Sequence, residues 1–346
     1  MNTYSDDIKN IFHDSLPWEI LSDTNILITG ATGLIGSTLI EVLMSNPHQD
    51  YRVYASGRNV ERARKRFEKY LSMDSFHFFE YDVMFPLQIG IHFDYIIHAA
   101  SNASPNAFSN SPVEIVKANI YGVSNLIEYG LTHGMKRFLY VSSGEVYGEG
   151  DGRIITEDYS GYVNSMNPRS CYPSSKRAAE TLCASYASQY GADVVIARPC
   201  HVYGPNFTES DNRVYAQFIR NILKGENIIM KSTGEQFRSW CYAVDCVSAI
   251  LYILLKGVSG EAYNIADPHS VFTIRQLAEM VAKIGSCKVV MEVASEKEKR
   301  GYNPVSKSVF SVEKLEALGW KVSDNMTLKM RKTVEHLKEC RVIGYD

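Results

Sequence analysis

A chain of 346 residues, 45% of them hydrophobic and 22% charged, has the make-up of a folded protein and is long enough to bury one large domain and a smaller one. A formal net charge of -3, with 36 basic residues against 39 acidic ones, leaves no positive excess to hold a nucleic-acid backbone. No apolar stretch approaches the roughly 20 residues a bilayer crossing needs, and Met1 to Asp7 lacks the basic-then-apolar layout of a secretory signal, so the chain is expected to be cytoplasmic, with no nucleic-acid or membrane partner.

Ile8, Ile11 and Phe12 recur at helical spacing and predict a short helix docked on the body ahead of the first strand. The apolar run Ile26-Leu27-Ile28 then reads as a strand that delivers the chain to Thr29-Gly30-Ala31-Thr32-Gly33-Leu34-Ile35-Gly36, followed by helical sequence. Such a turn suits a dinucleotide pyrophosphate. Gly30 and Gly33 let the backbone approach phosphate oxygens, Gly36 lets the next helix pack close, and the positive end of that helix faces the anion. The glycines are spaced three and three rather than two and three, and a simple turn is the other reading of the same residues.

Later strands are expected at Arg52–Ser56, Phe76–Glu80, Tyr95–Ala99, Arg137–Ser142 and Asp193–Arg198, alternating with helical stretches. That alternation predicts an α/β fold with a doubly wound parallel sheet of the Rossmann type. After the second strand the chain reads Ser56-Gly57-Arg58-Asn59. No carboxylate stands where ribose hydroxyls would be held, and Arg58 suits either an added 2'-phosphate or stacking on adenine, so NAD and NADP both stay open.

The fifth strand runs into Ser142-Ser143-Gly144-Glu145, which sets hydroxyls and a carboxylate at a strand's C-terminal end, where ligands of open parallel sheets bind. Tyr172 and Lys176, four residues apart at the start of a helical pattern, share one face. A cation about 4 Å from the phenol, at an effective dielectric of about 20, contributes about 4 kcal/mol. With the charge of an oxidised nicotinamide this suffices to bring a tyrosine pKa from about 10 toward 7. Tyr172 is then read as the base that takes a hydroxyl proton while Ser143 holds the same oxygen.

Beyond Arg198 the pattern loosens into loops with Gly204-Pro205-Asn206 and Asp211-Asn212-Arg213, then a helix from about Val214 to Lys224, as expected of a substrate-capping lobe. Seven scattered cysteines without a Cys-x-x-Cys pair read as reduced structural thiols, Cys171 among them, and nine histidines without ligand spacing predict no catalytic metal. The mixed-charge patch Glu296 to Arg300 reads as a solvated face.

The glycine turn, the strand-end serine and Tyr-x-x-x-Lys, in this order, resemble the extended short-chain dehydrogenase/reductase family, the NAD-dependent epimerases and dehydratases, over nearly the whole chain. Asp82-Val83, His98-Ala99-Ala100-Ser101 and Asn119 agree with it. The resemblance implies a tightly retained NAD or NADP on Gly30, Thr32, Gly33, Leu34, Ile35, Gly36, Arg58, Asp82, Val83, Ala99, Ala100, Ser101, Asn119, Tyr172 and Lys176. It implies catalysis by Ser143, Tyr172, Lys176 and Glu145, and a nucleotide-sugar substrate on Ser104, His201, Arg213 and Arg238. It also implies interleaved domains, with 1–199 plus 236–264 holding the cofactor and 200–235 plus 265–346 forming the nucleotide-sugar lobe. A homodimer is implied through the helices Val113–His133 and Pro173–Tyr190, although apolar positions such as Leu126 and Leu182 equally suit the chain's own core.

Within the family, Glu157 to Asn164, Pro168 to Tyr172, Lys176-Arg177 and Ala103-Ser104-Pro105 look most like UDP-glucuronate decarboxylases, and Glu145 matches a carboxylate shared with sugar 4,6-dehydratases. Such enzymes act through a transient 4-keto sugar. Three positions depart from the pattern. Gly144 stands where dehydratases carry an aspartate and decarboxylases a serine. His201 stands in place of an asparagine, and near Ser306 or Lys307 the decarboxylase arginine is missing. Decarboxylation, dehydration and epimerisation therefore stay open, beside an NADPH-dependent ketoreductase and a non-catalytic dinucleotide-binding module.

Overall fold

Asn25–Thr29 forms strand β1, and its last four residues are buried because a parallel strand with neighbours on both edges and helices on both faces has no solvent side. In this computed structural model, which describes residues 3–293, 307–322 and 325–342, the following strands are β2 (Arg52–Gly57), β3 (Phe76–Glu80), β4 (Tyr95–His98), β5 (Arg137–Val141), β6 (Val194–Pro199), β7 (His201–Tyr203), β8 (Ile228–Met230), β9 (Phe237–Tyr242) and β10 (Ala262–Ile265). The main sheet has seven strands in the order β10-β6-β5-β4-β1-β2-β3, every neighbouring pair parallel. The expected strands lie within a residue of those observed. The order reverses between β1 and β4, so the C-terminal ends of these two strands open the crevice in which such sheets bind ligands.

The helices that cover this sheet are α1 (Tyr4–Asn10), α2 (Leu34–Met44), α3 (Val60–Arg66), α4 (Pro105–Asn110), α5 (Pro112–Thr132), α6 (Cys171–Tyr190), α7 (Val214–Leu223) and α8 (Ala243–Lys256). Side chains alternate along β1 with period two. Ile26 and Ile28 share a buried cluster with Leu39 and Leu43 of α2 and Ile250 and Leu254 of α8, while Leu27 joins Val123, Leu126, Ala179 and Cys183 of α5 and α6. Each buried Leu, Ile or Val among them contributes about 1.5 to 3 kcal/mol of burial free energy. Leu126 therefore faces its own core and not a partner, whereas Leu182 lies in a surface hollow with Leu131 and Tyr190.

The expected N-terminal helix is α1. Thr3 caps it in a reciprocal box with Asp6, and its buried Tyr4 donates to Glu41 of α2 at 2.9 Å. A second sheet, beyond the crevice, joins β9 to β7, β11 (Val271–Thr273) and β13 (Lys307–Ser308), with β12 (Val289–Met291) pairing β8 elsewhere. Strand β9 thus belongs to this second sheet, yet it runs directly into α8, which packs against α2 and β6 of the main body. The patch Glu296 to Arg300 and Ser306 lie outside the described residues. No helix of the described residues is long and apolar enough to cross a membrane.

Candidate active site

Strand β1 ends at Thr29, and Gly30 follows with φ +68°, a conformation that costs a side-chain-bearing residue free energy. A Cβ there would lie 2.6 Å from Cα of Ala100, in the backbone that leaves β4. A Cβ on Gly36 would run into the carbonyl of Gly30, so α2 sits directly on the turn. The first amides of α2, from Leu34 onward, have no carbonyl one turn back to pair with. This cradle of bare backbone fits a pyrophosphate. Arg66 of α3 props it from below, donating to the Thr32 carbonyl at 3.2 Å, the Ser37 hydroxyl at 3.0 Å and the Asn206 carbonyl at 2.7 Å. Sequence reasoning missed Arg66, because nothing near it distinguishes it from the other basic residues of α3.

At the adenosine side, exposed Arg58 lies 3.9 Å from the carboxylate of Asp82, which also accepts from the Met84 amide. Below them the structure gives Asn119 a different part from the one expected. It is buried, and both ends of its amide are engaged. Ser101 donates to its oxygen and its nitrogen donates to Ser175, each at 2.8 Å. Ser175 in turn donates to the Cys171 carbonyl, so Asn119 ties the end of β4 to the first turn of α6, which carries Tyr172. Val83 is likewise buried, its carbonyl accepting from Asn125.

Tyr172 lies 5% exposed, its ring 4.9 Å from that of Phe108 on α4, and the neighbouring Ser143 hydroxyl favours the ionised form of its phenol. Ser104 caps α4 and so seats Phe108. Here the structure corrects the expected electrostatics. Lys176, fully buried, donates to the Val141 carbonyl at 2.8 Å and stands 4.5 Å over the Tyr140 ring but 5.8 Å from that of Tyr172. Burial drives the Tyr172 phenol up to about 12, with Glu145 adding to the rise and Ser143, Arg213 and Arg169 acting against it. Burial also brings the Lys176 ammonium down to about 7. The protein alone therefore supplies position and a dry site, and the lowered phenol that the sequence suggested needs charge from a bound group. Cys171, beside Tyr172, is a buried thiol pushed up by desolvation, in keeping with a structural role.

Ser143 also caps the short 3-10 turn Gly144–Tyr147 by accepting from the Glu145 amide. The Glu145 carboxylate accepts from Arg169 at 2.9 and 3.0 Å, so uptake of a proton by Glu145 breaks an ion pair. Arg169 was not among the expected site residues; its only signal was its place just before Tyr172. A Cβ on Gly144 would lie 2.5 Å from the ring of Phe310, a buried residue of the second sheet's side, so that ring occupies the space in which a side chain at 144 would stand.

Arg213 is held by Asp211 and Tyr215, and feels the Tyr172 phenol. Arg238 is buried, brought down to about 10 by desolvation, and faces Glu145. His201 packs 5.3 Å from the Trp240 ring with both arginines near, and burial and their charge hold it neutral, near 3. Its Nδ1 has no hydrogen-bond partner among the described residues. Lys307, at the position of the missing arginine, instead donates to the Gly152 carbonyl at 2.7 Å.

His98 at the end of β4 is wholly buried against Thr29, and desolvation lowers it from 6.5 to about 3. The unfolded chain thus binds a proton that the folded chain refuses, so stability falls as pH drops below 6.5, by up to about 1.4 kcal/mol per pH unit. Urea midpoints measured on stepwise acidification are expected to fall accordingly, with a shallower response in His98→Gln. An equal response in the two proteins would show that His98 is not the cause.

Residues 26–266 match the model of the NAD dependent epimerase/dehydratase family. The chain is 32% identical over 330 residues to UDP-glucuronic acid decarboxylase 1 of Xenopus tropicalis, covering 93% of this chain and 75% of that one. It is 35% identical over 263 residues to UDP-glucuronic acid decarboxylase 6 of Arabidopsis thaliana, covering 76% and 75%. Among solved structures, the UDP-glucose 4-epimerase of Thermotoga maritima superposes with TM-score 0.78 at 25% identity, over 92% of this chain and 99% of that one. The dTDP-glucose 4,6-dehydratase of Streptomyces venezuelae, solved with NAD bound, superposes with TM-score 0.81 at 23% identity, over 92% and 98%.

Proposed function

The chain belongs to the NAD dependent epimerase/dehydratase family, and we propose that it is a cytoplasmic enzyme that oxidises C4 of a nucleotide-activated sugar, lets the 4-keto group drive the change at C5, and then reduces the product. The observation that carries this is the buried Tyr172 phenol, with Ser143, Glu145 and Arg213 acting on it and Arg238 acting on Glu145. NAD, when bound, accepts the hydride and later returns it. Gly30 to Gly36 would hold its pyrophosphate and Lys176 its nicotinamide side. Asp82 beside Arg58 favours NAD over a cofactor with a further phosphate, because the carboxylate repels that dianion.

Tyr172 takes the C4 hydroxyl proton and later gives one back, with Ser143 orienting the oxygen. Arg213 and Arg238 would clamp the diphosphate, which suits planar five-donor groups, and the open Nδ1 of His201 would meet the substrate. For the change at C5 we favour decarboxylation of a uronic acid. The bond from C5 to the carboxylate breaks, its electrons enter the 4-keto group as an enolate, and C5 is then protonated. The named decarboxylases among the relatives support this, and so does the Phe310 ring over Gly144, which leaves no acid there for a departing hydroxyl. Segments 200–235 and 265–346 would form the nucleotide-sugar lobe. The hollow of Leu131, Leu182, Tyr186 and Tyr190 on α5 and α6 would face a second copy in a homodimer.

The test is to incubate the protein with NAD or NADP and UDP-, dTDP-, GDP- and CDP-sugars and weigh the products. Loss of carbon dioxide without net use of cofactor is expected. Loss of water, or unchanged mass with altered stereochemistry, would replace decarboxylation by dehydration or epimerisation. Steady consumption of reduced cofactor would mark a ketoreductase. Unchanged sugars throughout would leave a dinucleotide-binding module.

A further inference from the structure

We propose that Arg169 is a positioning residue of the proton-transfer pair: it clamps Glu145 and, through Phe108, seats the Tyr172 ring, so that a carboxylate and a phenol can work side by side in one buried pocket. The inference rests on the reading of Tyr172 as proton acceptor. Arg169 sits in the 3-10 turn Pro168–Ser170, whose start is held by Asn167 accepting from the Arg169 amide at 3.0 Å. The turn immediately precedes α6, so the arginine and the tyrosine are carried by one rigid corner.

The guanidinium meets two planar groups at once. Its Nη2 donates to both oxygens of Glu145, at 2.9 and 3.0 Å, and its carbon lies 4.3 Å from the centroid of the Phe108 ring. Phe108 stacks in turn on Tyr172 at 4.9 Å and 33°. The Nε of Arg169 is buried with no hydrogen-bond partner among the described residues. A guanidinium serving only as a solvated surface charge would not give up that donor. Here it gives it up in exchange for the stacked orientation. A lysine could reach the carboxylate but lacks the flat face that lies on Phe108.

Charges around the phenol show what this clamp does. Burial and the Glu145 carboxylate push Tyr172 upward, while Ser143, Arg213 and Arg169 act against them. Lys176 stands under the ring with Tyr140 behind it, Cys171 is the neighbour in sequence, and Arg238 faces Glu145 from the second sheet. Arg169 is hydrogen-bonded to that carboxylate. Its removal would leave the negative charge of Glu145 beside the phenol without its bidentate partner.

The experiment titrates isotope-labelled tyrosine by NMR in the NAD-loaded protein, the Tyr172 signal being identified by its loss in Tyr172→Phe. Arg169→Gln is expected to raise the Tyr172 midpoint by about one pH unit, and Arg169→Lys by less. The double variant Glu145→Gln, Arg169→Gln should return it to within about half a unit of the parent, because both charges are then gone. In turnover, kcat of Arg169→Gln should fall about tenfold at neutral pH and recover as pH rises, with KM within about twofold. An unmoved midpoint in Arg169→Gln, or a double variant displaced as far as the single one, would overturn the proposal. If Arg169→Gln does not fold, Arg169→Lys against Glu145→Gln carries the same comparison. The tyrosine titration needs no turnover, so a protein that leaves every sugar unchanged would refute the proposed reaction and still decide the role of Arg169.

Discussion

Tyr172→Phe is expected to lower kcat by about three orders of magnitude while leaving the fold and the affinity for NAD nearly unchanged. The substitution removes one oxygen from a ring that is 5% exposed and keeps the stack of that ring on Phe108. On the proposed reading, what is lost is the group that exchanges a proton with a substrate hydroxyl as hydride leaves its carbon. General acid–base catalysis contributes about a hundredfold to ten-thousandfold, and neither Glu145 nor Lys176 stands free to replace it. Glu145 is tied to Arg169, and Lys176 is bonded to the Val141 carbonyl. Single-turnover hydride transfer separates chemistry from product release, and NAD titration by fluorescence checks that binding survives. Residual activity within tenfold of the parent would remove Tyr172 from the mechanism.

The second large effect is expected at Gly30. In Gly30→Ala the residue must hold φ +68°, at a cost of about 1 to 2 kcal/mol. Its new Cβ also meets the backbone of Ala99 and Ala100 at 2.6 to 2.7 Å. Backbone just beyond the end of β4 cannot swing aside as the end of a side chain can, so overpacking adds about 1 to 3 kcal/mol. The urea midpoint should drop accordingly, and NAD affinity should fall at least about tenfold, since the turn can relax only by moving into the pyrophosphate cradle. Gly33→Ala is the comparison. At φ -79° and with its nearest contact, a carbonyl oxygen, at 3.3 Å, it should cost little stability. Equal losses in the two variants would refute the account of the turn.

Much of this molecule was legible before its coordinates. The alternation of strands and helices placed the sheet, and the turn at Gly30 and the pair Tyr172 and Lys176 fell where the crevice opens, because these features depend on residues close together in the chain. Three placements that the sequence left undecided have a common physical origin. Lys176, expected at the phenol and at the cofactor, bonds a carbonyl of β5, thirty-five positions away in sequence. Asn119, expected at the cofactor, has its amide on Ser101 and Ser175. Leu126, which suited a dimer face or the chain's own core, lies in the core. In each case helical spacing gave the face of the helix, and only the neighbouring element could say what that face meets.

What the chain determined by itself was therefore local: which segments become strands, where glycine must bend the backbone, and which chemical groups arrive at the strand ends. Tertiary structure decided the pairings. Arg169 on Glu145, Arg66 under the glycine turn and Phe310 over Gly144 each join segments that no short-range pattern connects. Their strength comes from the water excluded when those segments meet, and burial of that kind is a property of the assembled fold and of no single stretch of sequence.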